Sequence, residues 1–308
     1  MIFRTAPGIS SLRTALPPTD TSPRTFDESL LTVHTPQHEL LGVLARPCGQ
    51  ASRPVGVVIV VGGPQTRVGS HRQFVLLARA LAQAGYPCLR FDYTGMGDSP
   101  GPKPEFEAAG PDIRQACDAV LVAEPGCRAL VLWGLCDGAT AAVFHAADDP
   151  RVAAVIAANP WARHESTRSA ALVQTHYGSR LRSRDFWTKL ARGRVNVIGA
   201  AREALGHVRR ARRVRRGFAG GVEDLPTRLA RALRSAGRPV HLQLSGNDLT
   251  AAEFELALQN LVRLEEVAAS ILRLDEADHT FSDPAAWSAV IADTLAILSE
   301  TNSRMCES

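Results

Sequence analysis

Five residues, Gly134-Leu135-Cys136-Asp137-Gly138, constrain this chain more than any others. An apolar run, 129–133, precedes them and a small-residue run, 139–147, follows. The first has the composition of a strand buried on both faces, the second that of a helix. A Gly-x-nucleophile-x-Gly pattern at such a junction is a nucleophile elbow. The glycines permit a turn too tight for larger side chains, and the central residue stands clear of the sheet at the helix N-terminus. Here that residue is a thiol, which a helix dipole and a nearby imidazole can hold as thiolate. Taken alone, the five residues also read as a small buried Cys between two structural glycines.

The rest of the chain supplies the frame an elbow needs. Segments 30–33 and 40–45 read as an antiparallel edge hairpin. Segments 55–61, 86–93, 128–133 and 152–158 read as strands, with helices expected over 72–84 and 111–123. The alternation breaks after Asn159-Pro160 and resumes with a strand over 239–245, a helix over 251–264, a strand over 269–274 and a helix over 284–298. The expected fold is α/β, a doubly wound and mostly parallel sheet with a helical lid insertion between its sixth and seventh strands. The expected division is a disordered tail over 1–25, a core over 26–160 and 237–301, and an Arg-rich insertion over 161–236.

In an elbow fold the catalytic groups follow the chain order nucleophile, acid, histidine. After the strand that follows the insertion comes Gly246-Asn247-Asp248, and after the last strand comes Asp278-His279-Thr280-Phe281. Cys136, Asp248 and His279 all fall past the carboxyl ends of strands, where open parallel sheets place ligands. His279 is expected to take the thiol proton and Asp248 to orient the imidazole. Asp275, Glu276 and Asp278 are alternative acids, so close to His279 in sequence that they read better as loop groups. An oxyanion hole needs two backbone N–H donors. Asp137 is expected to give one. The loop after the 55–61 strand gives the other, from Gln65 or Gly63, since Pro64 has no N–H; Gln65 is preferred.

Composition narrows the field further. Of 35 Lys and Arg, 19 lie between Arg163 and Arg238 with only 5 of the 31 Asp and Glu, so the insertion is strongly basic and the remainder acidic. The run Arg209-Arg210-Ala211-Arg212-Arg213-Val214-Arg215-Arg216 is expected to be a solvated helix face or a contact for an anionic surface. Aromatics are not interleaved with it, so nucleic acid is not expected. Trp161, Tyr177, Phe186 and Trp187 read as lid core or as pocket lining. Six cysteines form no C-x-x-C pair, which fits a reducing compartment, and the N-terminus lacks the apolar stretch of a secretory signal. No His pair or His/carboxylate cluster argues for a metal, and no cofactor is expected. His71 reads as a capping or solvated residue near the catalytic face and His145 as structural; His164, His176 and His207 fall in the insertion.

Arg90-Phe91-Asp92-Tyr93-Thr94-Gly95-Met96-Gly97-Asp98-Ser99 resembles the D-x-x-G-x-G-x-S loop of the α/β-hydrolase superfamily. More narrowly, the elbow and Gly62-Gly63-Pro64-Gln65-Thr66-Arg67-Val68-Gly69-Ser70-His71-Arg72-Gln73-Phe74 resemble the exosortase A system-associated hydrolase 1 family. That resemblance implies a cytoplasmic bacterial hydrolase linked to exopolysaccharide and protein-sorting loci. The Cys elbow is also similar to that of dienelactone hydrolases, which implies a Cys-His-Asp triad. The departures are Cys in place of the superfamily's Ser and no His-Gly before the oxyanion loop. The leading expectation is hydrolysis of an ester, thioester or lactone through a Cys136 acyl-enzyme. The substrate would be a small molecule or a lipid- or sugar-linked acyl group. An acyltransferase with the same triad, or a non-catalytic module binding anionic polymer or lipid through its arginines, are the other readings.

Overall fold

The computed structural model describes residues 25–163 and 223–307. Eight strands form one sheet: β1 (Phe26–His34), β2 (Glu39–Pro47), β3 (Val55–Val60), β4 (Cys88–Phe91), β5 (Ala129–Leu135), β6 (Val152–Ala158), β7 (Val240–Ser245) and β8 (Ser270–Leu274). Their order across the sheet is β1-β2-β4-β3-β5-β6-β7-β8. β2 is antiparallel to β1 and β4, and every other pairing is parallel. This is the doubly wound, mostly parallel sheet that the alternation predicts, with its hairpin at one edge.

The helices are α1 (Gln73–Gln83), α2 (Gly110–Ala123), α3 (Asp137–Asp148), α4 (Leu225–Ser235), α5 (Leu249–Leu258), α6 (Leu264–Val267) and α7 (Pro284–Glu307). α1 packs with α7, whereas α2, α3, α4 and α5 touch in succession, so helices cover both faces of the sheet. Every residue of β3, β4, β5 and β7 is consequently buried, and β3 and β5 accordingly read as continuous apolar runs rather than alternating ones. Trp133 of β5 anchors one face. Its indole stands edge-on to Phe74 of α1 at 5.9 Å and to Trp287 of α7 at 6.4 Å, and its Nε1 donates to Gln243 Oε1 at 3.2 Å.

Three elements differ from the sequence expectation. β4 is shorter than 86–93, because the chain leaves the sheet at Asp92. The helix expected over 251–264 is two, α5 and α6, since the Leu261 and Val262 N–H groups both turn back onto the Leu258 carbonyl. The last helix runs on to Glu307. The tail over 1–24, the arginine run 209–216, Tyr177, Phe186, Trp187, His164, His176 and His207 lie outside the described residues. No helix among the described residues is long and apolar enough to cross a membrane.

α4 falls within the span read as insertion. The Asp224 carboxylate accepts the Thr227 N–H at 3.0 Å and Pro226 occupies the first turn, a favourable helix start. Leu229 and Leu233 are then buried at the α3 side of the body. Leu229→Ala should therefore cost about 2–5 kcal/mol of stability, as truncation in a packed core does. A urea midpoint equal to that of the wild type would show that α4 is not part of this core.

Candidate active site

Cys136 sits between β5 and α3 with φ 61° and ψ −128°, a strained conformation for any residue but glycine. Its surroundings impose it. A Cβ on Gly134 would lie 2.7 Å from Ala139, and one on Gly138 only 2.5 Å from the Val60 carbonyl oxygen. Strand and helix approach so closely that the intervening residue must turn outward. The Cys136 N–H donates to the Ala158 carbonyl at 3.0 Å, and its own carbonyl accepts from the N–H groups of Ala139 and Trp161, each at 3.1 Å. The thiol is half-buried. Cys88, Cys117 and Cys127 are fully buried, and burial pushes the thiols of Cys117 and Cys127 up to about 12 and that of Cys88 higher still.

The loops after β7 and β8 bring two more groups to the elbow. Asp248 is the N-cap of α5, and its carboxylate accepts the N–H groups of Thr250 at 3.1 Å and Ala251 at 3.0 Å. Its Oδ2 also lies 2.9 Å from His279 Nδ1. The Cys136 thiol acts electrostatically on the same ring. Burial works to lower the His279 pKa, but the hydrogen bond to Asp248, the Cys136 thiol and the charges of both raise it to about 10. The structure thus brings Cys136, His279 and Asp248 into one line. The alternative acids do other things. Asp278 accepts the N–H groups of Thr280 and Ser282 and the hydroxyl of Ser282, contacts that hold its carboxyl low against the opposing effect of burial. Asp275 and Glu276 are exposed.

One positioning residue escaped the sequence reading. Asn159, at the end of β6, is fully buried with φ 42°. Its Nδ2 donates to Ser245 Oγ at 2.9 Å and to the His279 carbonyl at 3.0 Å, while its Oδ1 accepts the Ser245 N–H at 2.8 Å. Ser245 Oγ donates onward to the Asp278 carbonyl at 2.8 Å. Asn159 therefore ties the ends of β6 and β7 to the histidine loop.

The loop after β3 lies beside the elbow. Arg67 of this loop binds the buried Asp92 carboxylate through its N–H at 2.6 Å and through Nη1, and reaches Asp98 with Nη2 at 2.6 Å. Ser99 Oγ donates to the Asp92 carbonyl and accepts the Leu41 N–H. The glycine-rich loop is thus a brace for the β3 loop. Of the two expected donors there, the Gln65 N–H already donates to the Gly62 carbonyl at 3.3 Å. The Gly63 N–H points instead to the Asp137 carboxylate.

The histidines away from the elbow have local roles. His71 is exposed, at φ 53° beside Arg72 at φ 62°. His145 Nε2 lies 3.1 Å from Asp149 Oδ2, and burial lowers its pKa despite that contact. Cys117, His145 and Asp149 do bring potential metal-ligand atoms within 4.8 Å of one another, a His/carboxylate grouping the sequence reading missed because α3 creates it at a four-residue spacing. Asp149 is already bound by the Arg151 guanidinium at 2.7 and 2.8 Å, and a cation there would have to displace it.

Two outcomes follow from this geometry. Asn159→Ala leaves the Ser245 N–H and the His279 carbonyl short of a partner and should cost about 1–3 kcal/mol in chemical denaturation. His279 has a folded pKa above its unfolded value near 6.5, so the stability it contributes is complete below that pH and is lost as pH rises towards about 10. In NMR titrations the ring should stay protonated well above neutrality, and should lose its proton at lower pH in Cys136→Ala and in Asp248→Asn. Unchanged titration in both variants would contradict the contacts described.

The fold has counterparts among known proteins. A family model described as serine aminopeptidase, S33, matches residues 52–202. An esterase from Pyrococcus furiosus is similar with a TM-score of 0.60 at 14% identity, over 89% of this chain and 91% of its own. An esterase from Rhizomucor miehei gives 0.58 at 16%, over 91% and 85%. A dienelactone hydrolase from Anabaena variabilis gives 0.54 at 17%, over 88% and 96%. Comparison with curated proteins gave no match. The sheet order, the elbow between β5 and α3 and these likenesses lead to one conclusion: this chain is built on the α/β-hydrolase fold.

Proposed function

We propose that this chain is a thiol-dependent hydrolase that cleaves ester, thioester or lactone bonds through an acyl-enzyme on Cys136. The observation that carries the proposal is the hydrogen bond between Asp248 and His279 Nδ1 at 2.9 Å, with the Cys136 thiol of the elbow acting on the same ring. The raised His279 pKa favours an imidazolium beside Cys136, the kind of neighbour that activates a thiol. The esterase and dienelactone hydrolase likenesses support the class of bond. The tie to exopolysaccharide and protein-sorting loci rests on the elbow and the 62–74 loop.

The steps follow from the placement of the groups. The Cys136 thiolate attacks the acyl carbonyl carbon; a C–S bond forms and the carbonyl π pair moves to oxygen. Backbone N–H groups of Asp137 and Gly63 receive that oxygen; we assign the second donor to Gly63, whose N–H faces the elbow at the Asp137 carboxyl that must give way, rather than to Gln65, whose N–H turns back onto the Gly62 carbonyl. The intermediate collapses, the bond to the leaving oxygen or sulfur breaks, and the His279 imidazolium supplies its proton. Neutral His279 then takes a proton from water as the water attacks the acyl-Cys carbonyl. Collapse releases the carboxylic acid and restores the ion pair. Asp248 holds the ring by Nδ1 and stabilises its charged form throughout.

Steady-state rates on a panel of ester, thioester and lactone substrates test the proposal. Cys136→Ala should lower kcat/KM by roughly 10³-fold or more, and His279→Ala by about 10²–10⁴-fold. Wild-type turnover by Cys136→Ala would sink the thiol mechanism.

A further inference from the structure

The Asp137 side chain is an anomaly at the elbow. Its backbone N–H and that of Gly63 are the two donors that the proposed mechanism assigns to a developing oxyanion. The Gly63 N–H already donates to Asp137 Oδ1. Burial raises the Asp137 pKa, against the lowering effect of that bond and of the Lys103 charge. A carboxyl oxygen therefore stands on the Gly63 donor, beside the N-terminus of α3. The fit is close on every side: a Cβ on Gly62 would lie 2.6 Å from Asp137 Oδ1 and 2.9 Å from the Gly138 nitrogen. The Gly63 N–H and the N-terminus of α3 favour an anion here, and the protein places its own carboxyl in that position.

Beside this carboxylate lies a cavity of about 200 Å³, lined by Val61, Tyr93, Met96, Lys103, Phe106 and Asp137 among others. Tyr93 is buried, and its hydroxyl has no hydrogen-bond partner among the described residues. Lys103 Nζ donates to the Gly63 carbonyl at 3.2 Å and its charge acts on Asp137. The cavity thus holds a buried donor without an acceptor and an ammonium group, both beside a carboxylate that must move if a carbonyl oxygen is to use the Gly63 N–H.

We propose that Asp137 is the resting occupant of the oxyanion site, and that substrate binding displaces its carboxylate into the adjoining cavity, towards the Tyr93 hydroxyl and Lys103. This rests on the proposed acyl chemistry at Cys136. Asp137 is then a positioning residue for the oxyanion donors: it satisfies them when substrate is absent and sets a threshold that an incoming acyl group must overcome. Binding that must first displace an internal competitor lowers kcat/KM for every donor alike, since the displacement precedes acylation.

The test uses the full chain and the variants Asp137→Ala and Asp137→Asn, with folding checked by thermal melting. The first readout is the Gly63 amide in ¹H–¹⁵N spectra. The wild-type proton should lie downfield, as expected of a bond to a carboxylate, and move upfield in Asp137→Ala; Asp137→Asn, which keeps an acceptor oxygen of the same shape, should fall between. A Gly63 amide unmoved in Asp137→Ala overturns the proposal. The second readout is the acylation rate with an acetyl thioester. Asp137→Ala should be acylated about tenfold faster than wild type, with Asp137→Asn closer to wild type, a small part of what an oxyanion donor is worth. Acylation of Asp137→Ala at the wild-type rate or slower also overturns it. A Cys136→Ala protein acylated as fast as wild type defeats the thiol mechanism instead, and the Gly63 amide then decides the occupancy of the site on its own.

Discussion

The conformation of Cys136 is the constraint on which the rest of the site depends. A positive φ at a residue that is not glycine is unfavourable, and it persists only because β5 and α3 leave no other path. Gly134 and Gly138 let the strand and the helix approach to the point where their backbones touch. Buried β3 and β6 fix β5 from both sides, and Trp133 locks it to α1 and α7. The strain is thus set against a large buried core, and what it yields is a thiol held clear of the sheet at the positive end of a helix.

Around that thiol, backbone groups do most of the positioning. Asp248 is oriented by two N–H groups of its own helix start, so its free lone pairs point at His279. Asn159 holds the histidine loop by its carbonyl, leaving the ring free to exchange a proton. Arg67 and Asp92 hold the β3 loop, with the buried carboxylate satisfied by N–H groups from two places and by a guanidinium. The Asn159 and Arg67 tethers act on backbone of the loops, whereas the α5 N–H groups hold the Asp248 carboxylate itself. The Asp137 carboxylate extends the same logic to the oxyanion donors.

The sheet and the three groups in line were legible because they depend on short-range rules. Apolar runs mark strands buried on both faces, a glycine pair marks the elbow, and chain order assigns the acid and the histidine. Asp248 was separable from Asp275, Glu276 and Asp278 by order alone, and its place at the start of α5 gives the physical reason. What sequence could not give depends on contacts between distant segments. Asn159 reads as a loop residue after a strand until β7 is placed beside it. Gln65 and Gly63 are equivalent in sequence, and only the turn onto the Gly62 carbonyl separates them. Asp137 was read for its N–H, and its side chain mattered only once the β3 loop was seen to lie against it. The His145 and Asp149 pair is a local i,i+4 spacing, but Cys117 joins it only because two helices meet.

The most direct measurement is the intact mass of the protein after brief exposure to an activated acyl donor and an acid quench, followed by peptide mapping. Mapping is needed because Cys48 is exposed and offers a second thiol. The account predicts one acyl group on the peptide carrying Cys136, absent from Cys136→Ala and formed more slowly in His279→Ala. An acyl group found only on Cys48, or none on a wild-type Cys136 that alkylating reagents still label, would contradict it.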